Sequence, residues 1–283
     1  MRGGADCEIN PKGDCEYIPY YIGGRKMRKY FDFEGRVAVV TGCSTGLGVQ
    51  MAKALASQGA RIVAVARRQN MIDQVAADIH KEFGVETLAV KCDITNTEEV
   101  EKMVDEVLRV FGRIDVLVNN AGTGAVGPAE DMSDDEFDWE MNVDLFGTFR
   151  VARAVAKKAM IPQKYGRIIN IASMYGLVGN KIAGSAPYHA AKGGVVNLTR
   201  ALAAEWGKYG ITVNAICPGY FYTDLTRDTL NSDFFQANAK TMIPEERYGE
   251  EGELDTAVLF LASEKSAYVT GVNLPVDGGY TAM

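Results

Sequence analysis

Histidine is almost missing from this chain of 283 residues, which holds only His80 and His189. That leaves little material for a histidine-ligated metal site, and no metal is expected. The five cysteines are odd in number and scattered, so neither a disulfide framework nor a zinc site is indicated. Cys43, Cys92 and Cys217 lie in or beside apolar strands and read as reduced core residues, which points to a cytoplasmic protein. No apolar run reaches the length of a membrane span, and the N-terminus lacks the apolar core of a secretory signal, so no membrane partner is expected. Positive charge is in deficit, with 30 Lys and Arg against 37 Asp and Glu, for a net charge of −7. Phosphate backbones want a basic face, so nucleic acid is not expected as a partner.

What is present is an ordinary globular composition, 47% hydrophobic and 24% charged, with enough apolar material for a large core. From residue 36 the chain alternates short apolar runs with longer helical patterns. Runs at 36–42, 60–66, 85–93, 114–122, 167–173, 211–219 and 272–279 read as seven buried strands. Thr97 is placed to cap a helix whose face carries Val100, Met103, Val104, Val107, Leu108 and Phe111. Continuous apolar strands alternating with helices predict an α/β fold: one doubly wound, Rossmann-type parallel sheet of seven strands with helices on both faces. Residues 1–34 precede this rhythm as an N-terminal extension to the domain at 35–283. Within the domain, 220–248 is a long insertion after a strand, where substrate lids are found. It carries Phe221, Tyr222, Phe234, Phe235, Met242 and Ile243.

Two local patterns carry chemistry. Of thirteen tyrosines, only Tyr188 is followed four residues later by lysine, Lys192. On a helix the two side chains share a face one turn apart. An ammonium beside a phenol favours the phenolate, so this tyrosine is suited to carry protons to and from an alcohol. The second pattern is T-G-C-S-T-G-L-G at 41–48. Gly42, Gly46 and Gly48 in a strand-to-helix turn let the backbone approach a pyrophosphate and let the helix pack closely on the sheet. The helix start offers free N–H groups, and Ser44, Thr45 and Leu47 complete the cradle.

G-C-S-T-G also fits the nucleophile elbow of serine hydrolases. That reading needs a late histidine on a loop, and the two histidines lie in helical segments. The elbow would also fall on the first strand, with no oxyanion loop before it. A catalytically silent dinucleotide sensor would lack at least one catalytic side chain, and none is missing.

With T-G-x-x-x-G-x-G, N-N-A-G at 119–122, Ser173 and Tyr188-x-x-x-Lys192 in this order, the chain resembles the short-chain dehydrogenase/reductase superfamily from about Phe33 to Met283. Its late phrasing looks like the bacterial branch holding gluconate 5-dehydrogenases, acyl-carrier-protein ketoreductases and hydroxysteroid dehydrogenases. The resemblance implies an oxidoreductase that interconverts a small-molecule secondary alcohol and a ketone. It implies Tyr188 as general acid/base, Lys192 on the nicotinamide ribose and lowering the tyrosine pKa, and Ser173 on the substrate carbonyl. Asn142, in M-N-V-D-L-F-G, would support a water-linked proton relay to the lysine. Asp93 with Ile94 would meet the adenine, and Asn119, Ala121 and Gly122 would flank its ribose. Pro218, Gly219, Phe221 and Thr223 would clamp the carboxamide.

Met174, Tyr175, Leu177, Val178, Lys181, Tyr220 and Tyr222 would face the substrate. The lid's aromatics suit a steroid. Its Arg227, Lys240 and Arg247 suit a sugar acid, although Arg247 also reads as a lid brace. A 3-oxoacyl thioester is a third reading. A homotetramer or homodimer is implied through helices at 133–160 and 186–209. The second strand ends in Ala66, Arg67 and Arg68 rather than an acid, which favours NADP(H), since arginine pairs with a 2′-phosphate that an acid would repel. The glycine turn has no basic residue, so NAD(H) stays open.

Overall fold

The computed structural model describes residues 30–283 apart from 125, 182–183 and 224–225, together with the backbone of 7–9, 15–17, 21–22 and 25–26. The side chains of Phe234 and Lys240 lie outside the described set. Met1–Tyr30 forms one unit and Phe31–Met283 the other. In the first, β1 (Cys7–Ile9) pairs antiparallel with β2 (Cys15–Tyr17), and β3 (Tyr21–Ile22) with β4 (Arg25–Lys26). The rest of the expected extension at 1–34 lies outside the described residues up to residue 29.

The second unit is built on β5 (Val37–Thr41), β6 (Arg61–Ala66), β7 (Thr87–Lys91), β8 (Val116–Asn119), β9 (Gly166–Ile171), β10 (Ile211–Pro218) and β11 (Asn273–Val276). They form one seven-stranded sheet in the order β11-β10-β9-β8-β5-β6-β7, and each pair is parallel. All seven expected strands are there. They were readable because strands buried on both faces carry unbroken apolar runs. In β5 the alternation sends Ala38 and Val40 to one core and Val37 and Val39 to the other.

The first core is closed by α1 (Gly46–Ser57), α2 (Gln69–Phe83) and α10 (Asp255–Ala262), the second by α3 (Thr97–Phe111), α5 (Thr148–Val155) and α7 (Ala186–Trp206). Each Val, Leu or Ile fully buried there contributes about 1.5–3 kcal/mol. The apolar face expected for α3 is buried at Val100, Met103, Val104 and Val107. Its cap is Asn96 rather than Thr97: the Asn96 side chain accepts from the Glu98 and Glu99 N–H groups at 2.9 and 3.3 Å.

Between β8 and β9, α4 (Asp134–Glu140) opens with a Ser133–Glu136 capping box. It widens into a π-helical run, Met141–Gly147, before α5. A second wide run, Ala156–Met160, leads to the short α6 (Ile161–Gln163). After β10 the chain forms α8 (Arg227–Leu230) and α9 (Asp233–Met242) before returning to α10. The strand order reverses between β5 and β8, which opens a crevice at the carboxyl ends of the strands. Among the described residues no helix is long and apolar enough to cross a membrane.

Candidate active site

A cleft of about 540 Å³ occupies that crevice. Its floor is the turn from β5 to α1, with Gly42, Ser44, Thr45, Gly46 and Leu47 lining it. Gly42 has φ +65°, and a Cβ on it would lie 2.8 Å from the Ala121 Cα. Gly48 does not line the cleft. It lies behind the turn, where a Cβ would stand 2.5 Å from the Gly42 carbonyl oxygen. Thr45 caps α1 in extended conformation without spending its side chain, and the first turn holds no acid. The helix therefore presents N–H donors and its positive end to the cleft, which suits a pyrophosphate. This cradle, too tight at Gly42 and Gly48 for a Cβ, fits a dinucleotide backbone.

Arg67 and Arg68 line the same cleft from the end of β6, and Arg68 Nη2 donates to the Ser44 hydroxyl at 2.8 Å. Asp93 and Ile94 line it from the end of β7. Asp93 accepts from the Thr95 N–H and hydroxyl at 2.9 and 2.7 Å. Its carboxyl lies below the ordinary aspartate value: partial burial pushes upward, and the Thr95 bonds and the nearby Arg67 charge prevail.

Ala121 and Gly122 line the cleft, but Asn119 does not. Asn119 is buried and donates to Asn170 Oδ1 at 3.0 Å, tying β8 to β9. Its neighbour Asn120 lines the cleft instead and donates to the Thr41 and Gly42 carbonyls at 3.1 and 3.2 Å. Adjacent residues at a strand end point to opposite sides, so one of the two asparagines had to face inward. Pro218, Gly219, Phe221 and Thr223 close the far wall, and Phe221 is buried with a bridge to Gly249.

Ser173, Tyr188 and Lys192 converge on this cleft. The Ser173 side chain hydrogen-bonds the Tyr188 phenol. Lys192 Nζ stands 5.4 Å from the centre of the Tyr188 ring and donates to the Ile171 carbonyl at 3.1 Å.

Asn142 is the residue expected to support a water-linked relay to the lysine. Asn142 does not line the cleft, and its carbonyl accepts from Arg150 at 3.3 Å. Residues two apart on a helix face different ways, and here the inward face belongs to Asp144. Asp144 Oδ2 lies 2.9 Å from Lys192 Nζ, and Oδ1 accepts from the Thr123 N–H at 2.7 Å. Glu140, one turn earlier, is also buried. The expectation that Lys192 lowers the tyrosine pKa holds only in part. Burial raises it first; Lys192 and Ser173 pull it down, while Asp144 and Glu140 push it up, and the net lies above the ordinary tyrosine value. Lys192 lies above the ordinary lysine value although burial works against it, because Asp144 and the phenol hold its proton.

Met174 is buried, Leu177 is exposed, Tyr222 is exposed, and none of Met174, Tyr175, Leu177, Val178, Tyr220 or Tyr222 lines the main cleft. Tyr175 stacks on His189 with ring centres 4.6 Å apart, meets Tyr188 edge-on at 6.5 Å, and shares a hydroxyl contact of 2.5 Å with Tyr220. Tyr280 lies edge-on to both Tyr175 and Tyr220.

Within the 220–248 segment, Leu230, Phe235, Ala239 and Ile243 form a small core of their own, with Tyr220, Met242, Tyr248 and Tyr280 packed on it. Arg247 is held by Glu253 and Glu245, and Arg227 lies exposed beside Asp228. The Lys240 side chain lies outside the described residues. Cys43, Cys92 and Cys217 are free and buried, and burial pushes their thiols up to about 12.

A family model described as enoyl-(acyl carrier protein) reductase matches residues 42–281. The 3-oxoacyl-(acyl-carrier-protein) reductase of Escherichia coli (strain K12) is 37% identical over 248 residues, covering 88% of this chain and 98% of its own. The D-threitol dehydrogenase of Mycolicibacterium smegmatis (strain ATCC 700084 / mc(2)155) is 38% identical over 253 residues, covering 89% and 95%. A crystal structure of a gluconate 5-dehydrogenase from Burkholderia cenocepacia J2315, in complex with NADP and tartrate, superposes with a TM-score of 0.86 at 37% identity. The superposition covers 90% of this chain and 98% of that one.

Proposed function

The chain belongs to the short-chain dehydrogenase/reductase family, and from that premise we propose that it interconverts a small polyol and its ketone with NADP(H), using Tyr188 as general acid/base. One observation carries the reading: Ser173, Tyr188 and Lys192 stand in the same cleft as the uncapped start of α1. When bound, the nicotinamide supplies or takes up the hydride. The residues of this chain do the rest. The Ser173 hydroxyl holds the substrate oxygen and bonds the phenol. Tyr188 gives its proton to that oxygen in reduction and takes it back in oxidation. Lys192 holds positive charge beneath the phenol, and a placed acid/base of this kind contributes about 10²–10⁴-fold in rate.

NADP(H) is favoured over NAD(H) by Arg67 and Arg68 at the end of β6, where Ala66 replaces an acid. The polyol assignment rests on the lid. Its apolar side chains are spent on a core of their own rather than offered to a steroid, and Tyr175, the tyrosine that meets Tyr188 edge-on, brings a hydroxyl shared with Tyr220. Arg247 is occupied by glutamates, which leaves it no carboxylate-binding role toward a sugar acid. The exposed Phe137 and Phe146, 39% and 49% accessible, support self-association through the 133–160 segment as a dimer or tetramer. Free core cysteines suit a reducing, cytoplasmic setting.

Turnover with NADP⁺ against four-carbon polyols, sugar acids, bile-acid-type steroids and 3-hydroxyacyl thioesters tests the substrate class. Activity confined to polyols supports it, and activity confined to another class overturns it. Tyr188→Phe should abolish turnover while cofactor binding, read by nucleotide fluorescence, persists. Near wild-type turnover in that variant would end the acid/base assignment.

A further inference from the structure

The lysine of the site does not act as a lone cation. Lys192 and Asp144 are 6% and 0% exposed, and their charged atoms are 2.9 Å apart. They come from different elements, α7 and the π-helical run, so the contact is tertiary. The other Asp144 oxygen is fixed by the Thr123 N–H. Gly122 passes over the pair: a Cβ there would stand 2.9 Å from Asp144 Oδ2 and 3.3 Å from Lys192 Nζ. Lys192 also donates to the Ile171 carbonyl at 3.1 Å. π-helical turns within α-helices recur at functional sites because they re-aim a side chain, and here the wide turn carries Asp144 to the lysine.

We propose that Asp144 is a positioning residue that holds Lys192 as half of a buried ion pair, so that the Tyr188 phenol faces a neutral pair and Asp144 sets the pH dependence of the reaction. The inference rests on the reading of Tyr188 as the proton carrier. The groups that face the phenol and the pair are Lys192 from α7, Asp144 and Glu140 from the α4 segment, Ser173 and Tyr175 after β9, and the Cys217 thiol of β10. Both carboxylates oppose the phenolate.

The test is an NMR titration of the full chain labelled at tyrosine Cζ, without cofactor, together with pH profiles of kcat/KM for alcohol oxidation. Tyr188→Phe assigns the resonance. In Asp144→Asn the amide oxygen can still accept from the Thr123 N–H, so the variant removes charge with little change of shape. It should move both the Tyr188 midpoint and the acid limb of the profile downward by about one pH unit or more. Glu140→Gln should move them the same way by less. An unchanged midpoint in Asp144→Asn, with turnover lowered equally at every pH, would reduce Asp144 to a spacer and overturn the proposal. If Asp144→Asn gives no folded protein, Glu140→Gln decides, and an unmoved midpoint overturns. The resonance needs no turnover. A shifted midpoint thus upholds the pair even in an enzyme whose Tyr188→Phe variant stays active, a result that would sink the proton-carrier reading instead.

Discussion

Arg68 donates from Nη2 to the Ser44 hydroxyl at 2.8 Å, which ties the end of β6 to the phosphate turn. Arg67 stands beside it in the cleft, close enough to Asp93 to help hold that carboxyl ionised. On the proposed NADP(H) reading, these two guanidinium groups would meet the 2′-phosphate. A hydrogen bond to a charged group contributes about 1.5–3 kcal/mol. Arg67→Asp should therefore lower the ratio of kcat/KM for NADP⁺ over NAD⁺ by about 10- to 100-fold. Steady-state kinetics with both cofactors measures it, and an unchanged ratio removes Arg67 from the assignment.

The phenol of Tyr188 lies above the ordinary tyrosine value, with burial the first cause and the Asp144 and Glu140 carboxylates adding to it. Oxidation needs the phenolate as base, so its rate should climb with pH through the alkaline range. Reduction needs the phenol as acid, so its rate should stay level from neutral pH and fall only on the alkaline side. Profiles of kcat/KM in both directions check this. An oxidation profile flat between about pH 7 and 10 would mean that another group titrates in the rate-limiting step.

Gly48 is a packing glycine rather than a turn glycine. A Cβ there would lie 2.5 Å from the Gly42 carbonyl oxygen and 2.6 Å from Asn120 Nδ2. Gly48→Ala must push α1 off the sheet and disturb the bonds by which Asn120 holds the phosphate turn. Overpacking of this kind costs about 1–3 kcal/mol. Thermal unfolding should register a loss of that size, and cofactor titration should show weaker binding. Wild-type affinity would mean that the turn is not what holds the dinucleotide.

The fold was legible because its signal is redundant: seven apolar runs, each long enough to be a strand and each spaced by a helical pattern. Tyr188 and Lys192 were legible because their spacing is fixed by one regular helix, α7. Asn142 and Asn119 were misplaced for the opposite reason. The wide turn at 141–147 changes which residue faces the lysine, and no apolar period reports a π-helical run. At 119–120 two identical side chains leave strand direction as the sole arbiter. Asp144 carried one usable signal, a carboxylate four residues after Glu140 on a face otherwise turned toward the core. In the 220–248 segment the sequence shows aromatics without showing which face inward, and Phe235 and Ile243 are buried in a core of that segment's own.

Arg247 holds the lid from outside the cleft. Its Nη1 and Nη2 each donate to Glu253 at 2.7 Å, its Nη1 also reaches the Tyr248 carbonyl at 3.1 Å, and Glu245 lies 2.9 Å away. The Arg247 bonds and the Glu250 N–H hold the Glu253 carboxyl down to about 2. A carboxylate whose folded value is depressed loses its contribution only as pH falls through that value, so the brace should persist through mildly acid conditions. Exposed ion pairs contribute only about 0–1 kcal/mol to global stability. Arg247→Ala should therefore leave the unfolding midpoint nearly in place. It should instead loosen 220–248 locally, with faster cleavage in that segment under limited proteolysis. KM for the alcohol should rise, with kcat less affected, because the loosened segment includes Tyr220, which braces Tyr175, and not Tyr188. If KM and the cleavage rate both stay at wild-type values, the lid is held by its own core around Phe235, and the guanidinium merely decorates its surface.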